Sequence, residues 1–487
     1  MKRDNFGTRL GLLAAAAGSA VGLGNIWKFP YITGKNGGAA FILVYLICIV
    51  AIGVPVMLSE FALGRKTQAN AVGAFKKLKP KKSWHLTGVV AVSTAFIILS
   101  YYAIIAGWVL SYISKAVTGK LTSVAPSALG DYFGGIISQT IQPLFWNFVV
   151  LGITAFVVVA GVKDGVEKYS KILMPILFVL LIVLMVRSVT LDGASKGLEF
   201  LFKPDFSQLT PASVLEAVGH AFYSLSLGMG IILTYGSYIK KEENLVSLAL
   251  QVTILDTLVA LMAGIVIFPA VFAYGLEPNA GPALIFVTLP AVFKSMPFGA
   301  FFATLFFVLI AIAAITSTIS LLEVVVACFT EQFNVNRKKA TILISVALFV
   351  VGIPSTLSFG VWSGISIFGR SIFDYLDFLT SNILLPFGGI LVCIFVGWVW
   401  GAKNAAKEIS SDGLFSFKQE KAYSFVVKVL APVAIGMIFL YFTGIMSKLK
   451  NVGPMLPNIV LGAIGLLTLV LAFFHFKTEN SGASEEA

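Results

Sequence analysis

The sequence predicts an all-α polytopic membrane protein of about twelve transmembrane helices, two of which are discontinuous. The 487 residues are 58% hydrophobic and only 12% charged. Apolar runs of roughly 20 residues, the length that lets an α-helix cross the hydrocarbon core of a bilayer, recur along the whole chain. Two of these runs are interrupted by glycine and serine, at 18–25 and 224–230. We therefore expect spans 1 and 6 to be broken helices.

The predicted spans form one transmembrane domain over residues 1–475, followed by a polar cytoplasmic tail, 476–487, that is expected to be disordered. Pro454 and Pro457 stand at the start of the last span, so a version with eleven spans stays open. The predicted spans are 9–34, 38–64, 84–117, 141–162, 166–188, 211–238, 244–273, 297–330, 338–356, 373–400, 423–446 and 455–475.

Lysine and arginine are concentrated in short connections on one side of the predicted membrane. Seven lie from Arg65 to Lys82, and others lie at 240–241 and 337–339. The positive-inside rule makes this side, with the N-terminus, cytoplasmic, so we expect a multi-pass protein of the plasma (inner) membrane. This distribution explains the net charge of +12 without nucleic-acid binding. On the other side, residues 281–286 are apolar enough for a re-entrant cap.

The two interruptions indicate a binding site at mid-membrane. Each interior glycine costs a helix about 0.5–1 kcal/mol relative to alanine. An opened helix frees backbone N–H and C=O groups, which inside a bilayer need protein, a ligand or ions as partners. Broken spans at corresponding positions of two halves are typical of transporters. The two halves, about 9–188 and 211–400, fit a five-plus-five inverted repeat. This interpretation rests only on the positions of the two breaks.

Polar residues inside the spans point to an ion. A charge at the bilayer centre costs roughly 2.5–3.5 kcal/mol on insertion scales, so Asp256 in span 7 predicts a carboxylate that faces a cation. Glu60 in span 2 has a predicted structural role as an acceptor for backbone N–H groups at a helix break. Thr316 and Ser317 in span 8 offer adjacent hydroxyls, and Na+ prefers oxygen ligands. We favour a Na+ site over bonds to carbonyls of their own helix.

Several motifs occur together along the chain. They are Arg9-Leu10-Gly11, Gly22-Leu23-Gly24-Asn25-Ile26-Trp27-Lys28-Phe29-Pro30, Asn36-Gly37-Gly38-Ala39-Ala40-Phe41, Gly53-Val54-Pro55 to Glu60, Tyr101-Tyr102, Gly165-Val166-Glu167-Lys168, Ser224-Leu225-Ser226-Leu227-Gly228 and Ala313-Ala314-Ile315-Thr316-Ser317. This set, to about residue 475, resembles the neurotransmitter:sodium symporter family in its bacterial amino-acid transporter branch. The resemblance implies a LeuT-type fold, with two extra helices at about 423–475, and amino-acid uptake coupled to two Na+ ions by alternating access.

By position, the resemblance also implies the site residues. The first Na+ would be held by the substrate carboxylate with the Ala20 carbonyl, Asn25, Ser224 and Asp256. The second would be held by the carbonyls of Gly18, Val21 and Ala313 with the hydroxyls of Thr316 and Ser317. The substrate site would comprise Ala20, Leu23, Gly24, Ile98, Tyr102, Tyr223, Ser224, Ser226, Met229, Ser317 and Leu321.

The expected substrate is a hydrophobic amino acid, aromatic or large aliphatic. Its carboxylate would meet the free N–H groups of Leu23 and Gly24 at a half-helix N-terminus and the Tyr102 hydroxyl. The side-chain pocket has no charged residue, so a charged side chain would lack a partner. Met229, which is adaptable in shape, stands where the family often has an aromatic residue.

The resemblance also implies gate residues, and several of them differ from the residues that the family usually has. In the outer gate, Lys28 replaces an arginine and is expected to pair with Asp377, although a solvated surface position for Asp377 stays open. His220, where the family often has glutamine, can titrate near neutral pH, which predicts pH-sensitive gating. The inner latch has Phe6 in place of a tryptophan. Its other expected members are Arg3 paired with Glu331, with Ser237 and Tyr238 nearby.

Asp256 supplies a fixed negative charge and Ala260, one turn on, supplies none, so no chloride is expected to be required. Proton antiport through Asp256 is a further hypothesis. The alternatives are a proton-coupled amino-acid transporter of the same fold, which should lack the hydroxyl pair of span 8, and a non-transporting amino-acid sensor. An enzyme is not expected, because His85, His220 and His475 are scattered and no nucleophile motif occurs. The sequence carries no signal for an oligomeric state.

Overall fold

The computed structural model describes residues 5–276 and 283–445. Within these ranges nine helices are long and apolar enough to cross a membrane, and a bent pair makes a tenth span. The all-α polytopic fold is therefore confirmed. The predicted twelfth span, the tail and the first residues of the predicted cap lie outside the described residues.

The spans follow one another with the predicted breaks in spans 1 and 6. Span 1 consists of Arg9–Ala20 and Gly24–Lys35, which are bent by 47°, and span 6 of Pro211–Ser224 and Ile231–Gly236. These broken spans begin two sets of five, spans 1–5 and 6–10. The continuous spans are Ala39–Thr67, His85–Val117, Ile141–Val159, Val162–Val189, Leu245–Ala273, Gly299–Phe333, Arg337–Leu357, Ile372–Ile409 and Glu420–Phe442.

Short elements occupy the connections. A strand pair, Ser366–Ile367 with Arg370–Ser371, precedes span 10. The short helices between spans are Ala71–Leu78, Lys120–Ser123, Leu129–Ile137, Ala194–Phe202 and Leu284–Ser295, with single 3-10 turns at Pro126–Ala128 and Phe206–Gln208.

Polar side chains fix several helix starts. Thr8 accepts a hydrogen bond from the Gly11 N–H at the start of span 1. Asn244 accepts one from the Ser247 N–H at the start of span 7. Such N-caps satisfy backbone donors that have no partner inside the helix. The observed starts, at Arg9 and Leu245, lie within one residue of the predicted starts at 9 and 244.

Small residues let spans 2 and 6 touch through their backbones. A Cβ added at Gly64 would lie 2.0 Å from the Leu233 carbonyl oxygen, and one added at Gly236 would lie 2.7 Å from the Phe61 carbonyl oxygen. No larger residue fits at either place without moving a helix. The second half of span 6 is therefore held directly against span 2.

A buried ion pair joins three segments on the side that carries the lysine-rich connections, hereafter the lysine-rich side. Arg65, whose side chain is fully buried, donates from Nε to Glu408 Oε1 at 2.8 Å and from Nη1 to the Glu243 carbonyl at 2.8 Å. Lys241 lies 3.3 Å from Glu408 and also bonds Asp412. This hydrogen bond lowers the pKa of the Asp412 carboxyl. The cluster ties the end of span 2 to the connection before span 7 and to the end of span 10.

Replacing Glu408 with alanine should destabilise the protein, because it leaves the Arg65 guanidinium buried without its counter-charge. Breaking a buried ion pair in this way costs about 3–5 kcal/mol of unfolding free energy. Thermal unfolding of the purified protein in detergent measures the effect. The control is Glu199→Ala, which removes an exposed partner of Lys203 and should leave the midpoint unchanged. Equal midpoints for Glu408→Ala and wild type would contradict the stabilising role.

Candidate functional site

The two breaks face each other in the middle of the helix bundle. Span 1 leaves the helical path at Val21, and span 6 does so over 225–230, where Ser226, Gly228 and Gly230 have φ values of 55°, 78° and 77°. The Ser226 hydroxyl donates to the Ser19 carbonyl at 3.0 Å. The interrupted segments are thus joined to each other directly.

Glu60 satisfies part of the opened backbone of span 6. Its carboxylate is buried, and Oε1 accepts a hydrogen bond from the Gly228 N–H at 2.7 Å. This is the kind of contact that the structural role predicted for Glu60 requires. A buried N–H group without a partner would destabilise the break.

The three side chains predicted for the first Na+ site lie within hydrogen-bonding distance of one another. Asp256 Oδ1 accepts from Asn25 Nδ2 at 2.7 Å, and the Ser224 hydroxyl lies 2.9 and 3.0 Å from the two carboxylate oxygens. All three are buried. Three oxygen atoms, two from Asp256 of span 7 and one from Ser224 of span 6, therefore converge beside the Asn25 amide of span 1. Oxygen donors of this kind suit a hard cation.

The residues predicted for the second Na+ site lie where span 8 packs against span 1. The hydroxyls of Thr316 and Ser317 donate to the Ala313 carbonyl at 3.0 and 3.2 Å. A Cβ added at Gly18 would lie 3.5 Å from the Thr316 Cβ, and one added at Gly22 only 2.5 Å from the Ser317 hydroxyl. Gly22 thus permits the close approach of span 1 to the Ser317 hydroxyl of span 8, whereas the distance at Gly18 is an ordinary contact.

A small cavity lies between the breaks and spans 3 and 8. Ten of the eleven predicted substrate residues line it, and no charged side chain does. Leu23 is the exception, and the sequence missed Ser19, Gly22 and Ile231. The lining residues from the prediction are Ala20, Gly24, Ile98, Tyr102, Tyr223, Ser224, Ser226, Met229, Ser317 and Leu321.

The N–H groups at the start of the second half of span 1 have side-chain partners. The Leu23 N–H donates to the Tyr102 hydroxyl at 3.1 Å, and the Gly22 N–H donates to Asn25 Oδ1 at 3.0 Å. The prediction of a free Leu23 N–H is therefore wrong for this structure. Because a hydroxyl can accept and donate at once, Tyr102 keeps its own hydrogen for a further acceptor.

The predicted pairing of Lys28 with Asp377 is also wrong for this structure. No ion pair within 4.0 Å joins these two described residues: Lys28 Nζ lies 4.1 Å from the centroid of the Tyr223 ring. Asp377 Oδ1 accepts from the Tyr101 and Ser381 hydroxyls at 3.1 and 3.0 Å. An aromatic face attracts an ammonium group and hydroxyls bond the carboxylate, so each of the two groups has other partners in this structure.

On the same side of the bundle as Lys28, an ion pair joins the second half of span 1 to the first half of span 6. Glu216, in the first half of span 6, accepts from Lys35 Nζ at 2.7 Å and from Asn36 Nδ2 at 2.8 Å at the end of span 1. The sequence analysis missed this contact, although Glu216 is the only acidic residue in the first half of span 6.

His220 is buried among aromatic rings, 5.8 Å from Phe29 and 5.2 Å from Tyr45 between ring centroids. Neither of its ring nitrogens has a hydrogen-bond partner among the described residues. It also lines a second cavity, which contains Lys28. The pH-sensitive gating predicted for His220 stays a prediction.

At the inner latch, Arg3 lies outside the described residues, so its pairing with Glu331 stays a prediction. Glu331 Oε2 accepts from the backbone N–H and the side-chain amide of Asn70 at 3.0 and 2.9 Å. Tyr238 donates to Glu323 Oε1 at 2.7 Å.

Phe6 takes the position expected of an aromatic latch residue. Its ring packs edge-on against Tyr235 and Tyr238, with centroids 5.7 and 6.0 Å apart. Behind them the buried Glu323 pairs with Arg337. The sequence analysis missed Glu323, although a carboxylate inside the apolar run of span 8 was a signal for a buried partner.

A ten-helix core with two broken spans beside a cluster of buried oxygen atoms is typical of a class of sodium-dependent transporters, and the chain belongs to that class. The model of the sodium:neurotransmitter symporter family matches residues 3–125 and 137–477. The chain is thus a sodium-dependent, multi-pass membrane transporter and not an enzyme.

Individual relatives match over nearly their whole length. The uncharacterised sodium-dependent transporter YhdH of Bacillus subtilis is 40% identical, with 92% of this chain and 99% of YhdH covered. A sodium-dependent transporter of Haemophilus influenzae is 38% identical, with 90% and 98% covered. The crystal structure of MhsT in complex with L-phenylalanine is 47% identical at a TM-score of 0.83, with 90% of this chain and 99% of that chain covered.

Replacing Glu60 with alanine should lower the stability of the protein, because the Gly228 N–H would lose its acceptor inside the bundle. An unsatisfied buried donor costs about 1–3 kcal/mol. The matched variant Glu60→Gln keeps an acceptor oxygen and should retain most of the stability. Thermal unfolding in detergent compares the two, and equal losses would show that the charge of Glu60 matters instead of the hydrogen bond.

Proposed function

We propose that this transporter imports hydrophobic L-amino acids, aromatic or large aliphatic, together with Na+ and without a requirement for chloride. The observation that carries the proposal is the uncharged cavity between the broken spans, with Asp256 at its edge beside Asn25 and Ser224. The two charged groups of an amino acid bound there would meet the opened backbone of both spans.

The substrate class follows from the walls of the cavity. Ile98, Tyr223, Met229 and Leu321 give an apolar surface, against which a charged side chain would lose its hydration without gaining a partner. MhsT, which shares 47% of its residues with this chain, has been crystallised with L-phenylalanine. This complex supports an aromatic or similarly large substrate.

Coupling to Na+ follows from the shared position of the ion and the substrate carboxylate. The first ion would bind Asp256, Asn25, Ser224 and the Ala20 carbonyl, so each bound charge strengthens the binding of the other. The second ion would join Gly18 and Val21 of span 1 to the hydroxyls of span 8 at the site described above. Its binding would hold the first half of span 1 in place.

The proposed orientation puts the lysine-rich side in the cytoplasm, with the N-terminus, in the plasma (inner) membrane. Residues 1–475 would act as one transport domain by alternating access. The gates would be Lys28, Asp377 and His220 outside, and Arg3, Glu331 and Tyr238 inside.

Uptake of radiolabelled tryptophan, tyrosine and leucine into proteoliposomes tests the proposal. An inward Na+ gradient should drive accumulation, and choline in its place should not. Asp256→Ala should reduce Na+-driven uptake on the order of tenfold or more, because a ligand interaction of about 1.4 kcal/mol corresponds to a factor of ten. The control Asp192→Ala removes an exposed carboxylate and should leave uptake unchanged.

Two outcomes would contradict Na+ symport. Accumulation in choline that follows a pH gradient would identify the proton-coupled alternative, which the hydroxyl pair of span 8 disfavours. Binding of substrate without accumulation would identify a sensor.

Replacing chloride with gluconate should leave Na+-driven uptake unchanged in the wild type. Asp256 carries a fixed negative charge beside the proposed ion, and Ala260, one turn away, is buried and uncharged, so no mobile anion is needed to balance the Na+. Uptake is measured at equal Na+ concentration in both anions, and its collapse in gluconate would show that an anion completes the site.

A further inference from the structure

The connection after span 2 carries an unusual density of positive charge. No Asp or Glu lies between Glu60 and Asp131 in the sequence. Among the described residues, none of the lysines from 76 to 82 forms an ion pair within 4.0 Å. The segment 76–82, hereafter the lysine loop, contains Lys76, Lys77, Lys79, Lys81 and Lys82.

These lysines are available to a partner. Lys76, Lys77, Lys81 and Lys82 are exposed. Only Lys77 has a hydrogen bond in the described structure, from its Nζ to the Thr67 carbonyl at 3.0 Å. Five neighbouring charges of one sign repel one another, so an anion that approaches several of them is attracted strongly.

The lysine loop lies where span 3 enters the bilayer. Just after it, Trp84 packs against Phe395 with ring centroids 5.5 Å apart. Leu86 and Val89, in the first two turns of span 3, expose 53% and 42% of their surface and face outward. Tryptophan and lysine are typical of the level of the lipid headgroups. These features favour a position for the loop at the level of the lipid phosphate groups.

We propose that the lysine loop binds the headgroups of anionic phospholipids in the cytoplasmic leaflet. The location in that leaflet depends on the orientation proposed above. A cluster of four to eight basic residues next to a membrane helix has the charge that such recognition needs.

The segment that carries the lysines also contacts span 8 and the break of span 6. The helix Ala71–Leu78 begins after Asn70, which donates twice to Glu331 at the end of span 8. A Cβ added at Gly230, at the break of span 6, would lie 3.4 Å from the Ala71 Cβ. A lipid bound at the lysine loop therefore stabilises the arrangement in which Asn70 and Ala71 hold these contacts.

Native mass spectrometry of the purified protein with phosphatidylglycerol and phosphatidylcholine of equal chain length tests the proposal. Wild type should retain phosphatidylglycerol preferentially. In a quadruple variant, Lys76, Lys79, Lys81 and Lys82 are replaced by glutamine. Its ratio of bound phosphatidylglycerol to bound phosphatidylcholine should be at least about threefold lower than that of wild type, because each lysine at an anionic surface contributes to the attraction. The matched control replaces four exposed lysines elsewhere on the same side, Lys338, Lys339, Lys403 and Lys418, and should keep the preference.

Thermal unfolding in detergent supplies the second measurement. Added phosphatidylglycerol should raise the midpoint of wild type and of the control but not that of the quadruple variant. An equal loss of lipid preference in both variants would overturn the proposal, since the charges would then act diffusely. Absence of any preference in wild type would overturn it as well. Neither measurement involves transport, so failure of the uptake experiments would leave this proposal intact, and the reverse also holds.

Discussion

The fold depends on the need to satisfy backbone groups that two opened helices leave free inside the membrane. At the break in span 6, Glu60 accepts from the Gly228 N–H, and the Ser226 hydroxyl reaches across to the Ser19 carbonyl. At the break in span 1, Asn25 accepts from the Gly22 N–H. Because the bilayer offers no water at this depth, these contacts allow two irregular segments to exist where helices would normally be required.

The groups that satisfy the opened backbone also form part of the candidate ion site at the centre of the molecule. Asn25 bonds the opened backbone through its oxygen and Asp256 through its nitrogen, so the group that stabilises the break also positions the carboxylate. The Ser317 hydroxyl of span 8 approaches span 1 closely because Gly22 has no side chain. The same residues therefore stabilise the breaks and shape the site.

The sequence pattern was sufficient for the breaks and for the spans that the structure describes, and the family resemblance supplied ten of the thirteen residues that line the cavity. Glycines inside apolar runs and isolated carboxylates are strong signals, because the membrane makes both costly. The contact of Lys28 with the Tyr223 ring instead of Asp377 was not predictable, because only the fold sets the distances from the ammonium group to a carboxylate and to an aromatic face. The Arg65–Glu408 pair joins residues 343 positions apart, and no local pattern connects them.

The glycine contact between spans 2 and 6 has a consequence for how the molecule changes shape. With the backbones of Gly64 and Gly236 abutting Leu233 and Phe61, no side chain is present there whose rotation could absorb sliding. We therefore expect span 2 and the second half of span 6 to move together when the transporter changes conformation. Rotation relative to the first half of span 6 would then fall in residues 225–230, where Gly228 and Gly230 already have positive φ values.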